Sequence, residues 1–181
     1  MSRYLISDTH FNDSEILEES HRDFENVSEM NETIIRNWNN IVDKTDTVLF
    51  GGDLAHSGVD KQVFYDWAYA VNGIELILRG NHDPYNRSEL NDTVLPIVET
   101  YEFSYEGYDF YCSHKYSTGT EEAEGWCIHG HNHHHRPFLD VENNRINISA
   151  DVLGYVPIAL EELILYLDKG DHLDERPHKT T

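Results

Sequence analysis

Ile74-Glu75-Leu76-Ile77-Leu78-Arg79-Gly80-Asn81-His82-Asp83 is an apolar run that stops at a glycine and then delivers an amide, an imidazole and a carboxylate in succession. Its first five residues read as a short buried strand, too short for a helix and bounded by glycine. The same event recurs along the chain. Arg3-Tyr4-Leu5-Ile6-Ser7 runs into Asp8-Thr9-His10, and Thr47-Val48-Leu49-Phe50 runs into Gly51-Gly52-Asp53. Further on, Tyr108–Ser113 ends at His114, and Trp126–His129 ends at Gly130-His131-Asn132-His133. Ligands in open α/β sheets bind beyond the carboxyl ends of strands, so five such tips can converge on one site.

The segments between the strands complete an architecture. Residues 28–43 carry Met30, Ile34, Trp38, Ile41 and Val42 at helical period, with Asn26 or Ser28 as cap. Residues 60–72 place Val63, Phe64, Trp67, Ala70 and Val71 on one face of a second helix. Residues 12–28 read as a polar loop with one helical turn, and 87–98 as a weak helix broken at Pro96. The second half changes to short strands at Glu102–Tyr105, Tyr108–Ser113, Trp126–His129 and Arg145–Ser149, mostly antiparallel in style. A helical turn at 159–163 and a last strand at Leu163–Leu167 follow. A βαβαβ unit followed by a run of strands predicts an α/β fold, two packed mixed β-sheets flanked by helices. Residues 1–169 are expected to form a single domain, with 170–181 a flexible tail.

The chain has 181 residues, with 34 acidic against 13 basic, a net charge of −21. That balance excludes an extended nucleic-acid-binding surface and disfavours anionic membranes. No apolar run is long enough for a transmembrane helix, and the N-terminus reads at once as a strand rather than a cleavable leader. Two cysteines, Cys112 and Cys127, make no disulfide framework and read as buried, reduced thiols of a cytoplasmic protein. The acid is spread along the whole chain, with only five lysines. Such a surface suits very high salt, which points to a halophilic host or its virus.

The tip residues have a common chemistry. In Asp8-x-His10 the side chains sit two apart, so on an extended strand end they point the same way and can grip one ion. His131-x-His133 does the same, or divides between two adjacent ions. Carboxylate, imidazole and amide without thiolate suit Mn²⁺, Fe, Ni²⁺, Co²⁺ or Zn²⁺, and two ions, with Mn²⁺ favoured, are the expected cofactors.

The order D-x-H, G-D, G-N-H-D, H, G-H-x-H resembles the calcineurin-like metallophosphoesterase superfamily. Asp8-Thr9-His10-Phe11, Arg22-Asp23-Phe24, Glu29-Met30-Asn31, Trp38-Asn39, and Asn147 to Asp151 with Tyr155-x-Pro157 are also similar to a small single-domain branch of bacterial, archaeal and phage phosphoesterases. The resemblance spans roughly residues 4–163 and implies a four-layer α/β/β/α sandwich. It implies one divalent ion on Asp8, His10, Asp53 and His133, and a second on Asp53, Asn81, His114 and His131. It places His82 outside the ligand shell, facing the leaving group, with Asp83 accepting its other ring proton. The branch often carries Gly-His where this chain has Asn12-Asp13, a departure expected to bear on the substrate rather than on the metals.

The implied reaction is phosphate-ester hydrolysis by a hydroxide bridging two cations roughly 3.5–4 Å apart, with His82 assisting the leaving group and His114 or Arg79 nearby. An open cleft favours phosphodiesters, such as a nucleotide or a nucleic-acid end. The alternative is a phosphomonoesterase or protein phosphatase, echoed in Leu78-Arg79-Gly80-Asn81-His82, and a further one is a catalytically silent scaffold. Arg22, His56, Arg79, Tyr116 and Arg136 are candidate substrate contacts, and Tyr155 a cleft-shaping residue. His134 and His135 are expected to face solvent, and Asp151 to cap a turn.

Overall fold

The computed structural model describes residues 1–115 and 125–177. Strands β1 (Arg3–Ile6), β2 (Thr47–Phe50), β3 (Ile74–Leu78) and β4 (Ile97–Val98) run parallel, and β10 (Ile158–Ala159) closes the other edge antiparallel to β1. The order of this sheet is β10-β1-β2-β3-β4. The second sheet is β5 (Thr100–Tyr105), β6 (Tyr108–Ser113), β7 (Trp126–His129), β9 (Arg145–Asn147) and β8 (Leu139–Asp140), in that spatial order. Two mixed sheets with helices around them are the architecture expected.

Local chemistry sets the helices. In α2 (Val27–Ile41) the Asn26 side chain accepts from the Glu29 N–H at 3.1 Å, and Met30, Ile34 and Trp38 are buried. The Trp38 indole N–H donates to the Asn72 carbonyl at 2.8 Å, which lets the ring sit in the core without an orphaned donor. In α3 (Lys61–Ala70) Asp60 caps the N–H groups of Gln62 and Val63, and Phe64 and Ala68 face inward. A five-residue α1 (Glu15–Glu19) is the single turn expected in the acidic loop.

Four elements differ from expectation. Leu163–Leu167 is not a strand but part of α5 (Leu160–Lys169), which follows the short α4 (Ala150–Leu153) and whose buried Leu160, Leu163, Ile164 and Leu167 follow the i, i+3, i+4, i+7 rule. A five-residue window was too short to tell the two periods apart. Residues 87–98 form a 3₁₀ turn at Arg87–Asp92 and then β4, not a helix. The second sheet is less antiparallel than expected: β6 and β7 are parallel, as are β7 and β9. Long connectors at 114–125 and 130–144 permit these parallel returns. The C-terminal segment packs back as far as Arg176. Leu173 bridges Leu139, and the Arg176 guanidinium grips both Glu162 oxygens at 2.9 Å.

Parallel pairing matters for function, because it brings the carboxyl ends of β1, β2, β3, β6 and β7 to one edge. There the two sheets are stitched together. The Ser7 N–H donates to the Ile148 carbonyl, and the Ala150 N–H to that of Ser7, both at 2.9 Å. The tips are laced in turn, with Asp8 N–H to Gly52 O at 2.9 Å and His10 N–H to Asp53 O at 3.2 Å. The core under this edge is apolar and fully buried, with Leu5, Ile6, Phe50, Ile77, Leu78 and Ile128 at its centre.

Candidate metal centre

Asp8, His10 and His133 offer ligand atoms that all lie within 4.8 Å of one another, and so do Asp53, His114 and His131. Asp53 joins the two groups. Its Oδ2 is 3.0 Å from His114 Nε2 and 3.9 Å from His10 Nε2. Asn81 is exposed and shares the wall of a cavity of about 200 Å³ with His114, Arg79, Gly80, Ser113, Lys115 and Glu99. All seven residues named from the sequence as ligands therefore border one edge of the fold.

The backbone is bent to make this arrangement. Asp8, His10, Asp53, His131 and His133 all have left-handed conformations, with φ between 46° and 66°. Each costs of order 1 kcal/mol for a residue with a Cβ, and such strain gathers at functional sites. Gly80 leaves room for the shared carboxylate, since a Cβ there would overlap the Asp53 backbone N and Oδ1.

The carboxylates are held by dedicated donors. Asp8 Oδ2 accepts from the hydroxyls of Ser7 and Ser149, the latter at 2.9 Å, and both Asp8 oxygens face the His131 N–H at 3.0 Å. Asp53 Oδ1 accepts from the His82 N–H at 2.8 Å. Burial alone would push the Asp53 carboxyl up, but the imidazoles of His114 and His10 beside it hold it well below the usual carboxylate range. His114 is correspondingly drawn up to about 9, against its burial, by Asp53 and Asp8.

The donor set fits divalent cations on a structural ground. The Nε2 atoms of His10 and His114 are buried and have no hydrogen-bond partner, although carboxylate oxygens lie near both. Buried imidazole nitrogens turned toward a shared carboxylate are costly unless a proton or a cation lies between them, and a divalent cation can serve both at once. Their opposite ring atoms are fixed. His10 Nδ1 faces Asp13 Oδ2 at 3.0 Å, His133 Nδ1 faces Asp151 Oδ2 at 2.7 Å, and His114 Nδ1 faces the Gly51 carbonyl at 2.8 Å. Each leaves Nε2 free to ligate.

Several expectations need correction here. Asp83 does not serve His82. It is buried, accepts from the N–H groups of Gly80, Leu54 and Asp53, and is pushed up to about 6 by burial and by the Asp53 charge. It pins the loop carrying Asn81 and His82, while His82 Nδ1 is buried without a partner. Arg22 is not a substrate contact, because its side chain is fully buried. It forks onto both Asp151 oxygens at 3.0 and 2.9 Å and donates to the carbonyls of Asp8 and Thr9. Asp151 is more than a turn cap, since it joins Arg22 to His133. The Asn12-Asp13 departure bears on the candidate ligands as well, because Asp13 Oδ2 meets His10 Nδ1.

The other named residues sort by position. His56 lines a cavity of about 210 Å³ with His82, Asn12 and Asp13. Arg79 is ion-paired to Glu99 at 2.6 Å. Arg136, His134 and His135 are exposed, and Tyr155 packs edge-on against Phe24. Tyr116 lies outside the described residues. Cys112 and Cys127 are buried free thiols. No helix among the described residues is long and apolar enough to cross a membrane.

The chain is 37% identical over 172 residues to an uncharacterised protein of Methanocaldococcus jannaschii, covering 92% of each. It is similar to the crystal structure of a protein of unknown function from Aquifex aeolicus, with a TM-score of 0.66 and 22% identity over 91% of this chain and 98% of that one. A phosphoesterase of E. coli aligns with a TM-score of 0.45 and 17% identity over 82% of this chain and 78% of that one. The family model described as calcineurin-like phosphoesterase matches residues 1–174. The chain belongs to the calcineurin-like phosphoesterase family, a membership that supports a hydrolase acting on phosphate esters.

Proposed function

We propose that the protein is a dinuclear metal-dependent phosphodiesterase. The observation that carries the reading is the meeting of two ligand groups at Asp53, with the buried, unpartnered Nε2 atoms of His10 and His114 on either side. Asp8, His10, Asp53 and His133 would hold one cation and Asp53, Asn81, His114 and His131 the other, a mixed imidazole, carboxylate and amide set open to Mn²⁺, Ni²⁺, Fe, Co²⁺ or Zn²⁺. Two cations, when bound, polarise the phosphoryl oxygen and make water a nucleophile at neutral pH.

The remaining steps fall to the chain. His82 follows Asn81 on the β3 tip, its ring edge-on to His10 with centroids 5.0 Å apart. Its backbone is fixed by Asp53, and its ring borders the 210 Å³ cavity that has room for a leaving group. It is placed to give a proton to the departing alkoxide. Nearby arginines favour a diester over a monoester. A monoester dianion calls for a free cationic grip, yet Arg22 and Arg79 are both committed to carboxylates. One observation favours the monoesterase reading instead: exposed Lys115 stands beside Asn81 and His114 in the second cavity. We place the protein in the cytoplasm, with a nucleotide or nucleic-acid end as the substrate type.

The test is hydrolysis of an aryl phosphodiester against the matching monoester, each with Mn²⁺, Ni²⁺ and Zn²⁺ at low and high salt. The diester should turn over faster. A reversed ratio makes the protein a monoesterase, and no turnover of either by metal-loaded protein makes it a scaffold.

A further inference from the structure

The two ligand groups are backed differently. In the first, both histidines have a carboxylate on Nδ1: Asp13 Oδ2 at 3.0 Å from His10, and Asp151 Oδ2 at 2.7 Å from His133. In the second, His114 Nδ1 faces only the Gly51 carbonyl, at 2.8 Å. Among the described residues no carboxylate is hydrogen-bonded to Nδ1 of His114 or His131. The second group also relies on a neutral amide, Asn81, where the first has Asp8.

We propose that Asp13 and Asp151 are positioning residues that make the Asp8, His10 and His133 side the tighter of the two cation sites. The proposal rests on the reading that both groups bind cations. A carboxylate that accepts the Nδ1 proton fixes the tautomer and makes Nε2 more basic, and losing one typically costs 10–100-fold in metal affinity. A backbone carbonyl fixes the tautomer but brings no net charge. Both carboxylates are themselves held in place. Asp13 Oδ1 accepts the Glu15 N–H at 3.1 Å, while the preceding residue, Asn12, is pinned by its N–H to the Asn31 side chain at 3.1 Å. Asp151 is clamped by the Arg22 fork, whose charge offsets part of its own. Asp13 therefore contributes the larger electrostatic share, and Asp151 the stiffer geometry.

Stepwise titration of the metal-stripped full-length protein with Co²⁺ tests this, followed by calorimetry and by the Co²⁺ absorption spectrum. Wild-type protein should show two steps at least about tenfold apart. Asp13→Asn should weaken the tighter step by about 10–100-fold and leave the weaker one in place, so that the steps merge. Glu18→Gln, which removes an equal charge from exposed α1 without touching His10, should change neither step. Asp151→Asn should act on the same step by a smaller factor. It exposes Arg22 to the loss of a partner, and where it does not fold, Asp13→Asn decides. The melting point of metal-free Asp13→Asn should match wild type, which separates positioning from a folding role. Two equal steps in wild type, or a variant that weakens both steps alike or neither, would overturn the proposal. Absence of any Co²⁺ binding would overturn the dinuclear reading along with it.

Discussion

His82 and Asn81 are consecutive, yet one borders the cavity with His56 and the other the cavity with His114. That split is the residue-scale basis for giving them different work. His82→Ala should leave metal content unchanged while turnover falls by about 10²–10⁴, the usual scale of a general acid. The loss should be smaller for a good aryl leaving group than for an alkyl or nucleoside ester, because less protonation is needed. Metal analysis and two substrates check this. A variant that loses metal, or suffers equally with both esters, would make His82 a ligand or a positioning group. The candidate ligand residues were legible because each sits on a strand tip, next to the glycine or apolar run that announces it. Their supports were not. Arg22 meets Asp151 across 129 positions of chain, and nothing local in either residue records that contact. Asp83 misled for the opposite reason: adjacency to His82 suggested a pair, but the turn aims its carboxylate at the backbone of Gly80 and Leu54.

At the scale of elements, the apolar periods of α2 and α3 were readable because ten or more residues separate a 3.6 repeat from a twofold one. Leu163–Leu167 was not, and the difference can be measured. In a strand, Leu163, Leu165 and Leu167 would share a face. In α5, Leu163 is fully buried while Leu165 is 61% exposed. Leu163→Ala should therefore cost about 2–5 kcal/mol, and Leu165→Ala should stay within about 0.5 kcal/mol. Chemical denaturation of the two variants decides, and equal losses would restore the strand. The two-residue strands β4, β8 and β10 carry no period at all, so only tertiary pairing defines them.

The molecule as a whole carries a net charge of −21 around the candidate cation site. Screening of so much like charge predicts that the protein becomes more stable as salt rises. Thermal melts in low and molar KCl should show the midpoint climbing, and an unchanged midpoint would make this an ordinary acidic protein. The fold class and the family were readable from the order of five tips. The two-sheet geometry that turns tips into a centre depends on parallel returns that the short strands of the second half did not reveal. In the proposed centre two cations share Asp53. Metal analysis of reconstituted wild-type protein beside Asp53→Asn tests it directly. Wild type should hold close to two ions per chain, and the variant should bind weakly at both sites and lose turnover for every ester. One ion in wild type, or a variant that loses only one of two, would contradict it.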